Sequence, residues 1–277
     1  MPFAIDDLTS VIGHWSADQI VGLSDGDPVD TMPDSVSGWD LTGTTTERPL
    51  YRPTSSINSL PAVEFQGGDD FMGTAAKGLP AGNVSLSFVI RTDTVTLGVM
   101  ATLATAAPAT YGVSGTMIFP YVYTTAGGAL DIYGRNIANT ATWRSYTGNV
   151  AALPATTSCV ITLVRSALGW ATRVNGVAYF AATGTTGLSE GISAASYYVG
   201  LGNAVGVSAI DGLYSEVVLT AETVSSESVY VEGVLAHKYG ITLSTTHPFY
   251  AAAPTSGPPT GAGGGLMKIG QGGGYNG

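Results

Sequence analysis

Short β-favouring runs recur along the chain, and Gly, Pro, Asn or Thr cut most of them off before helical length. That punctuation points to an antiparallel β architecture. Val84-Ser85-Leu86-Ser87-Phe88-Val89-Ile90 alternates in its first half, as a half-buried strand does. Thr116–Tyr123, Leu130–Tyr133, Ser158–Arg165 and Tyr197–Gly200 read as further strands. Within Trp170–Phe180, Asn175-Gly176 supplies the two positive-φ positions of a type I′ turn, which predicts a β-hairpin. One segment departs from the pattern. Val231, Val234, Leu235 and Lys238 fall on one side at helical spacing, predicting a helix over Ser225–Lys238. Ser225 or Ser226 caps it, Glu227 favours its N-terminal end, and Gly240 suits its stop. The expected fold is mainly β: an antiparallel β-sandwich with one short C-terminal helix and an extended C-terminal tail. No internal repeat of solenoid period is present.

The chain of 277 residues has room for one large β domain or two small domains, and 44% of it is hydrophobic while only 11% is charged. A chain so apolar has a core to bury, which excludes a disordered protein. The net charge of −10 argues against nucleic acid as a partner, because such binders need a basic stripe to displace counterions. No apolar run approaches the roughly 18 residues that span a bilayer, so no membrane partner is expected either. The acidity is local: residues 1–70 hold twelve acids against Arg48 and Arg52, and the remaining acids and bases cancel. Carboxylates gathered this way hold a metal or form a solvated acidic surface.

Cys159 is the only cysteine, so stability comes from packing or assembly and not from an intrachain disulfide. Its apolar neighbours Val160-Ile161-Thr162-Leu163-Val164 predict a buried strand residue and not a nucleophile. The opening Met1-Pro2-Phe3-Ala4-Ile5-Asp6-Asp7 has neither a basic leader nor an apolar stretch. The expectation is a protein that stays in the cytoplasm or leaves by a leaderless route, such as release in a virus particle. Residues 1–250 read as one β domain, and 251–277 as a Pro/Gly-rich linker and tail. In that tail Leu266, Met267 and Ile269 form a short apolar plug, expected to dock in a neighbour's groove or to extend its sheet edge.

Several separated motifs resemble the concanavalin A-like, laminin-G-type jelly rolls of bacterial surface proteins and bacteriophage virion proteins. His14-Trp15-Ser16-Ala17-Asp18 and Val36-Ser37-Gly38-Trp39-Asp40 are similar to that family's opening motifs. Arg48-Pro49-Leu50-Tyr51 and Pro61-Ala62-Val63-Glu64-Phe65-Gln66-Gly67-Gly68-Asp69-Asp70 resemble its strand and turn, and Asp211-Gly212-Leu213-Tyr214-Ser215-Glu216-Val217-Val218-Leu219 its closing strand. Leu235-Ala236-His237-Lys238-Tyr239-Gly240 and His247-Pro248-Phe249 follow in the family's order. The resemblance implies a jelly-roll sandwich over residues 11–250, with Trp15, Trp39 and Phe65 in its core. It implies little about activity, since this fold hosts lectins, hydrolases and structural modules.

No catalytic constellation is evident. A hydrolase resembling the laminarinase group needs Glu-x-Asp-x-x-Glu on one strand, whose alternation aims the acid and the nucleophile into one cleft. Here Glu216 reads as the only acid on its strand, and Asp131 and Glu64 are isolated. His14, His237 and His247 lack metal-ligand spacing, no Gly-x-Ser-x-Gly elbow is present, and Gly263-Gly264-Gly265 lacks the residues of a phosphate loop. His237 and His247 are expected to cap the helix end and the turn after it.

Calcium is the one cofactor with a candidate site, at Asp25, Asp27 and Asp30, with Asp69-Asp70 as a second acidic pair. For glycans, Tyr111, Tyr121, Tyr123, Asn136, Trp143 and Tyr146 lie in a Thr- and Gly-rich stretch that could form a stacking rim. The leading expectation is a non-enzymatic bacteriophage virion structural protein, on the capsid or tail. It would be oligomeric, bound to other virion proteins, and would display a lectin-like sandwich with weak adhesion to host glycans. The alternative is a freestanding glycan-binding or adhesion module of bacterial surface type.

Overall fold

The computed structural model describes residues 4–43, 48–67, 70–79, 82–93, 98–99, 101–104, 121–124, 130–134, 144–147, 153, 155–166, 169–183, 196–202, 211–222 and 227–256. Among them two antiparallel sheets form a sandwich, and one helix, Glu227–Lys238, covers the outer face of the larger sheet. The larger sheet runs in the order Val177–Thr183, Gly169–Val174, Ser158–Ser166, Asn83–Thr92, Asp211–Glu222, Ala62–Gln66, Leu50–Arg52. Strand Val11–Ser16 pairs with the second half of Asp211–Glu222, while Ala62–Gln66 pairs with its first half. The opposing sheet is built from Ala101–Ala104, Ser196–Gly202, Phe71–Gly73, Leu41–Gly43 and Thr31–Met32, with Lys77–Gly78 against Ser196–Gly202. A separate four-stranded sheet holds Gly98–Val99, Tyr121–Thr124, Leu130–Gly134 and Arg144–Thr147.

Strand alternation divides the apolar residues between two cores. In Asn83–Thr92 the even positions Val84, Leu86, Phe88 and Ile90 face the opposing sheet, and Val89 faces the helix. Cys159, Ile161 and Leu163 join the first group, as a buried strand requires, and burial pushes the Cys159 thiol up to about 12. Trp15 is fully buried, donates from Nε1 to the Trp39 carbonyl at 2.7 Å, and tilts against the Trp39 ring at 5.7 Å. Phe65 meets Tyr214 edge-on at 4.9 Å. Trp15, Trp39 and Phe65 are therefore core residues, as the motifs implied.

The Trp170–Phe180 segment is the expected hairpin, with Asn175 at φ 50° and Gly176 at φ 75°. The helix ends as expected at Gly240, φ 64°, while Ser225 and Ser226 lie outside the described residues. Its burial is broader than one apolar stripe: Glu227, Ser228 and Glu232 are buried along with Val231 and Leu235. The reason is tertiary. The segment after the helix folds back over it, putting Phe249 against Tyr230 at 4.8 Å and His237 Nε2 against the Phe249 carbonyl at 2.7 Å. The 257–277 part of the tail, with Leu266, Met267 and Ile269, lies outside the described residues.

Candidate functional site

A bulge in the central strand places a buried carboxylate beneath the helix. In Asp211–Glu222 the register slips between Tyr214 and Glu216. Tyr214 and Val217 consequently both face the sandwich core, and Leu213 and Val218 belong to the helix-side cluster. Glu216 lies on that helix side, 1% exposed. Its neighbours on Val11–Ser16 bring His14 alongside, with His14 in register with Val218.

Glu216 is surrounded by donors. Its Oε1 lies 2.7 Å from His14 Nε2, and its Oε2 accepts from Lys238 Nζ at 2.5 Å and Tyr239 Oη at 2.7 Å. The network continues outward: His14 Nδ1 is 2.5 Å from Asp6, and Lys238 Nζ is 2.7 Å from Asp18. Burial alone would raise the Glu216 pKa, but the His14 hydrogen bond and the Lys238 charge outweigh it and hold the carboxyl below its usual range. Burial likewise opposes charge on His14, and Glu216 and then Asp6 overcome it, lifting the imidazole above its ordinary value. An open recess of about 460 Å³ reaches this network, walled by Ala4, Ile5, Val234, Ala253 and Pro254.

This arrangement is poorly suited to acid catalysis. A general acid for glycoside cleavage is a carboxyl whose proton is retained by a raised pKa, and Glu216 is held ionised by three donors. Its strand does carry other acids, contrary to the sequence reading: Asp211 and Glu222 stand at its two ends.

A second buried cluster fastens the other half of the helix. Glu232, 1% exposed, accepts from Arg173 Nε at 2.6 Å, and His247 Nε2 lies 3.2 Å from its other oxygen. His247 is therefore a buried partner of the helix, with its Nδ1 accepting from the Phe249 amide at 3.2 Å; only this last contact matches the turn-capping role expected of it.

The predicted metal-ligating residues have other partners. Asp25 faces Arg52 at 3.2 Å, Asp27 accepts from the Ser24 amide at 2.7 Å, and Asp30 pairs with Arg48. Among the described residues no group of three or more His, Cys, Asp or Glu is placed to hold a metal ion. Asp70 accepts from the Gln66 amide at 2.6 Å and closes its own turn, and Asp69 lies outside the described residues. Asp34, missed in the sequence, organises the Val36–Asp40 motif. It accepts from the backbone amides of His14 (2.8 Å), Val36 (3.1 Å), Ser37 (3.0 Å) and Trp39 (3.0 Å). An Asx-type carboxylate two residues ahead of a turn was the available signal.

Of the proposed glycan rim, Tyr111, Asn136 and Trp143 lie outside the described residues. Tyr121 and Tyr123 occupy one strand, in register with Tyr133 and Asp131. Tyr146 is in register with Ile132 and so out of phase with them.

No family model matches the chain, and no curated protein matches it in sequence. Solved structures do share its fold. Domain 4 of AbnA, a GH43 extracellular arabinanase from Geobacillus stearothermophilus, in complex with arabinotriose, is 14% identical with a TM-score of 0.52, over 76% of this chain and 92% of that one. Trypanosoma rangeli sialidase in complex with sialic acid is 12% identical (TM-score 0.53), covering 79% of this chain but only 32% of the sialidase. The botulinum neurotoxin serotype G binding domain is 9% identical (TM-score 0.55), with 84% of this chain and 54% of that one aligned. At these identities what this chain has in common with them is the β-sandwich fold.

Proposed function

We propose that this chain is a non-catalytic, glycan-binding β-sandwich module. The observation that carries the reading is the likeness in fold, over 76% of this chain and 92% of that domain, to an arabinanase domain in complex with arabinotriose. Glu216, held by three donors, does not fit the general acid that a glycoside hydrolase needs. Tyr121 and Tyr123, two residues apart on one strand, are the stacking platform in this reading.

Binding to an oligosaccharide array is expected, and Tyr121→Ala combined with Tyr123→Ala weakens it by about tenfold, as loss of two aromatic contacts of roughly 0.5–1.5 kcal/mol each implies. The bound oligosaccharides are recovered intact. An array without a single binder overturns the reading, and new reducing ends overturn its non-catalytic part.

A second reading places the module on the surface of a bacteriophage particle, on head or tail, as an oligomer bound to other virion proteins. It rests on the composition of residues 251–277, where Pro and Gly precede Leu266, Met267 and Ile269. Deleting residues 257–277 should abolish incorporation into particles while the melting temperature stays within a degree or so of the full chain. Unchanged incorporation removes this reading.

A further inference from the structure

Four chain segments meet at one end of the larger sheet, around an open recess of about 400 Å³. They are the turn after Leu50–Arg52, the start of Ser158–Ser166, the tip of the Asn175-Gly176 hairpin, and the stretch that follows the helix. The recess lining is neutral and rich in hydrogen-bonding groups: Asn58, Thr156, Thr157, Ser158, Asn175 and Thr242. Among the described residues no ionised side chain lines it; Arg91 touches its wall from behind, through Ser56 and the Thr156 carbonyl. Hydroxyls and carboxamides both donate and accept, which is what a ligand covered in hydroxyls requires.

The backbone around this recess is also unusual. Among the described residues, the non-glycine positions with positive φ are Asn58 (52°), Ser59 (58°), Thr156 (64°) and Asn175 (50°). Three of these line the recess and Ser59 adjoins it. The two asparagines tolerate this region, and Asn175 is accounted for by its turn. Thr156 is β-branched, for which positive φ is a genuine outlier. The surrounding fold enforces it: the Thr156 amide donates to the Thr92 carbonyl at 2.7 Å, and its carbonyl accepts from Arg91 Nε at 3.1 Å. Arg91 also donates to Ser56, fixing the facing wall. Outliers held by such over-determination concentrate at binding sites. Asn58 and Asn175 are anchored as well, through Lys238 O (3.3 Å) and the Val160 amide (2.9 Å).

We infer that this recess is a second carbohydrate subsite, which takes one neutral sugar residue at the end of the sandwich, away from the Tyr121–Thr124 strand. The inference rests on the glycan-binding reading above. The pocket is open and its outer rim, Asn58, Thr157 and Thr242, is exposed, so a bound sugar keeps one face in water.

The test is a titration of the isotope-labelled full chain with arabinotriose, maltotriose and mannotriose, followed by amide chemical shifts. At least one trisaccharide is expected to move Thr157, Ser158, Asn175 and Thr242 saturably. Thr157→Val with Thr242→Val removes two exposed hydroxyls and weakens that binding by about tenfold with the melting temperature unchanged. Saturable shifts confined to residues 121–124 and their neighbours overturn the subsite and leave the glycan reading standing. So does wild-type affinity in the double variant. Absence of saturable shifts with all three sugars overturns the subsite, and an array without a single binder overturns the glycan reading as well.

Discussion

Glu216→Ala is expected to lower the unfolding free energy by about 3 kcal/mol, read as a lower urea midpoint with an unchanged slope. The substitution strips the common acceptor from His14, Lys238 and Tyr239, and two of these side chains are largely buried. Removing one partner of a buried ion pair costs roughly 3–5 kcal/mol. The lower end applies here because the Lys238 side chain is 33% exposed and water takes over part of its solvation. A loss under about 1 kcal/mol would show that the network contributes little to holding the helix on the sheet.

The same network sets a pH dependence. The folded Glu216 pKa lies below its ordinary value near 4.5, so its contribution is present above that pH and fades as pH falls through the folded value. The folded His14 pKa lies above 6.5, so its contribution is complete below 6.5 and is lost as pH rises through the folded value. The latch is therefore strongest between about 4.5 and 6.5. Stability measured against pH should peak there, and in Glu216→Gln that peak should flatten.

Trp15→Ala is expected to cost about 4 kcal/mol. Truncating a fully buried tryptophan removes roughly 3–5 kcal/mol of packing. It also leaves the Trp39 carbonyl without its 2.7 Å indole partner and Trp39 without its ring neighbour at 5.7 Å. A fold of ordinary marginal stability is left with little margin after such a loss. Thermal melting checks it; a drop of less than a few degrees would place Trp15 outside the packing that matters.

What could be read ahead of the structure was local. Asn175-Gly176 dictates its turn because the two positive-φ positions belong to the residues themselves. The apolar run around Cys159 declares a buried strand, and Val231 with Leu235 declares a helix face, since both rest on periodicity within a few residues. The bulge at Ser215 could not be seen in this way. Without it, alternation puts Glu216 on the same face as Tyr214, and the slip is decided by how Ala62–Gln66, Asn83–Thr92 and Val11–Ser16 all pair with one strand. The acidic residues Asp25, Asp27 and Asp30 look like a ligand set only in one dimension; in three, Arg52, Arg48 and a backbone amide approach from different sides.

By itself the order of amino acids determined an antiparallel sandwich with one late helix, a buried strand around Cys159, and the hairpin at Asn175-Gly176, because each is encoded in neighbours along the chain. Tertiary structure alone decided that His14 and Glu216, separated by 202 positions, share a proton-bearing contact beneath that helix. It alone also brought four distant turns together around a hydroxyl-lined recess. Such meetings depend on strand pairing and register across the whole sheet, which no short stretch of residues specifies.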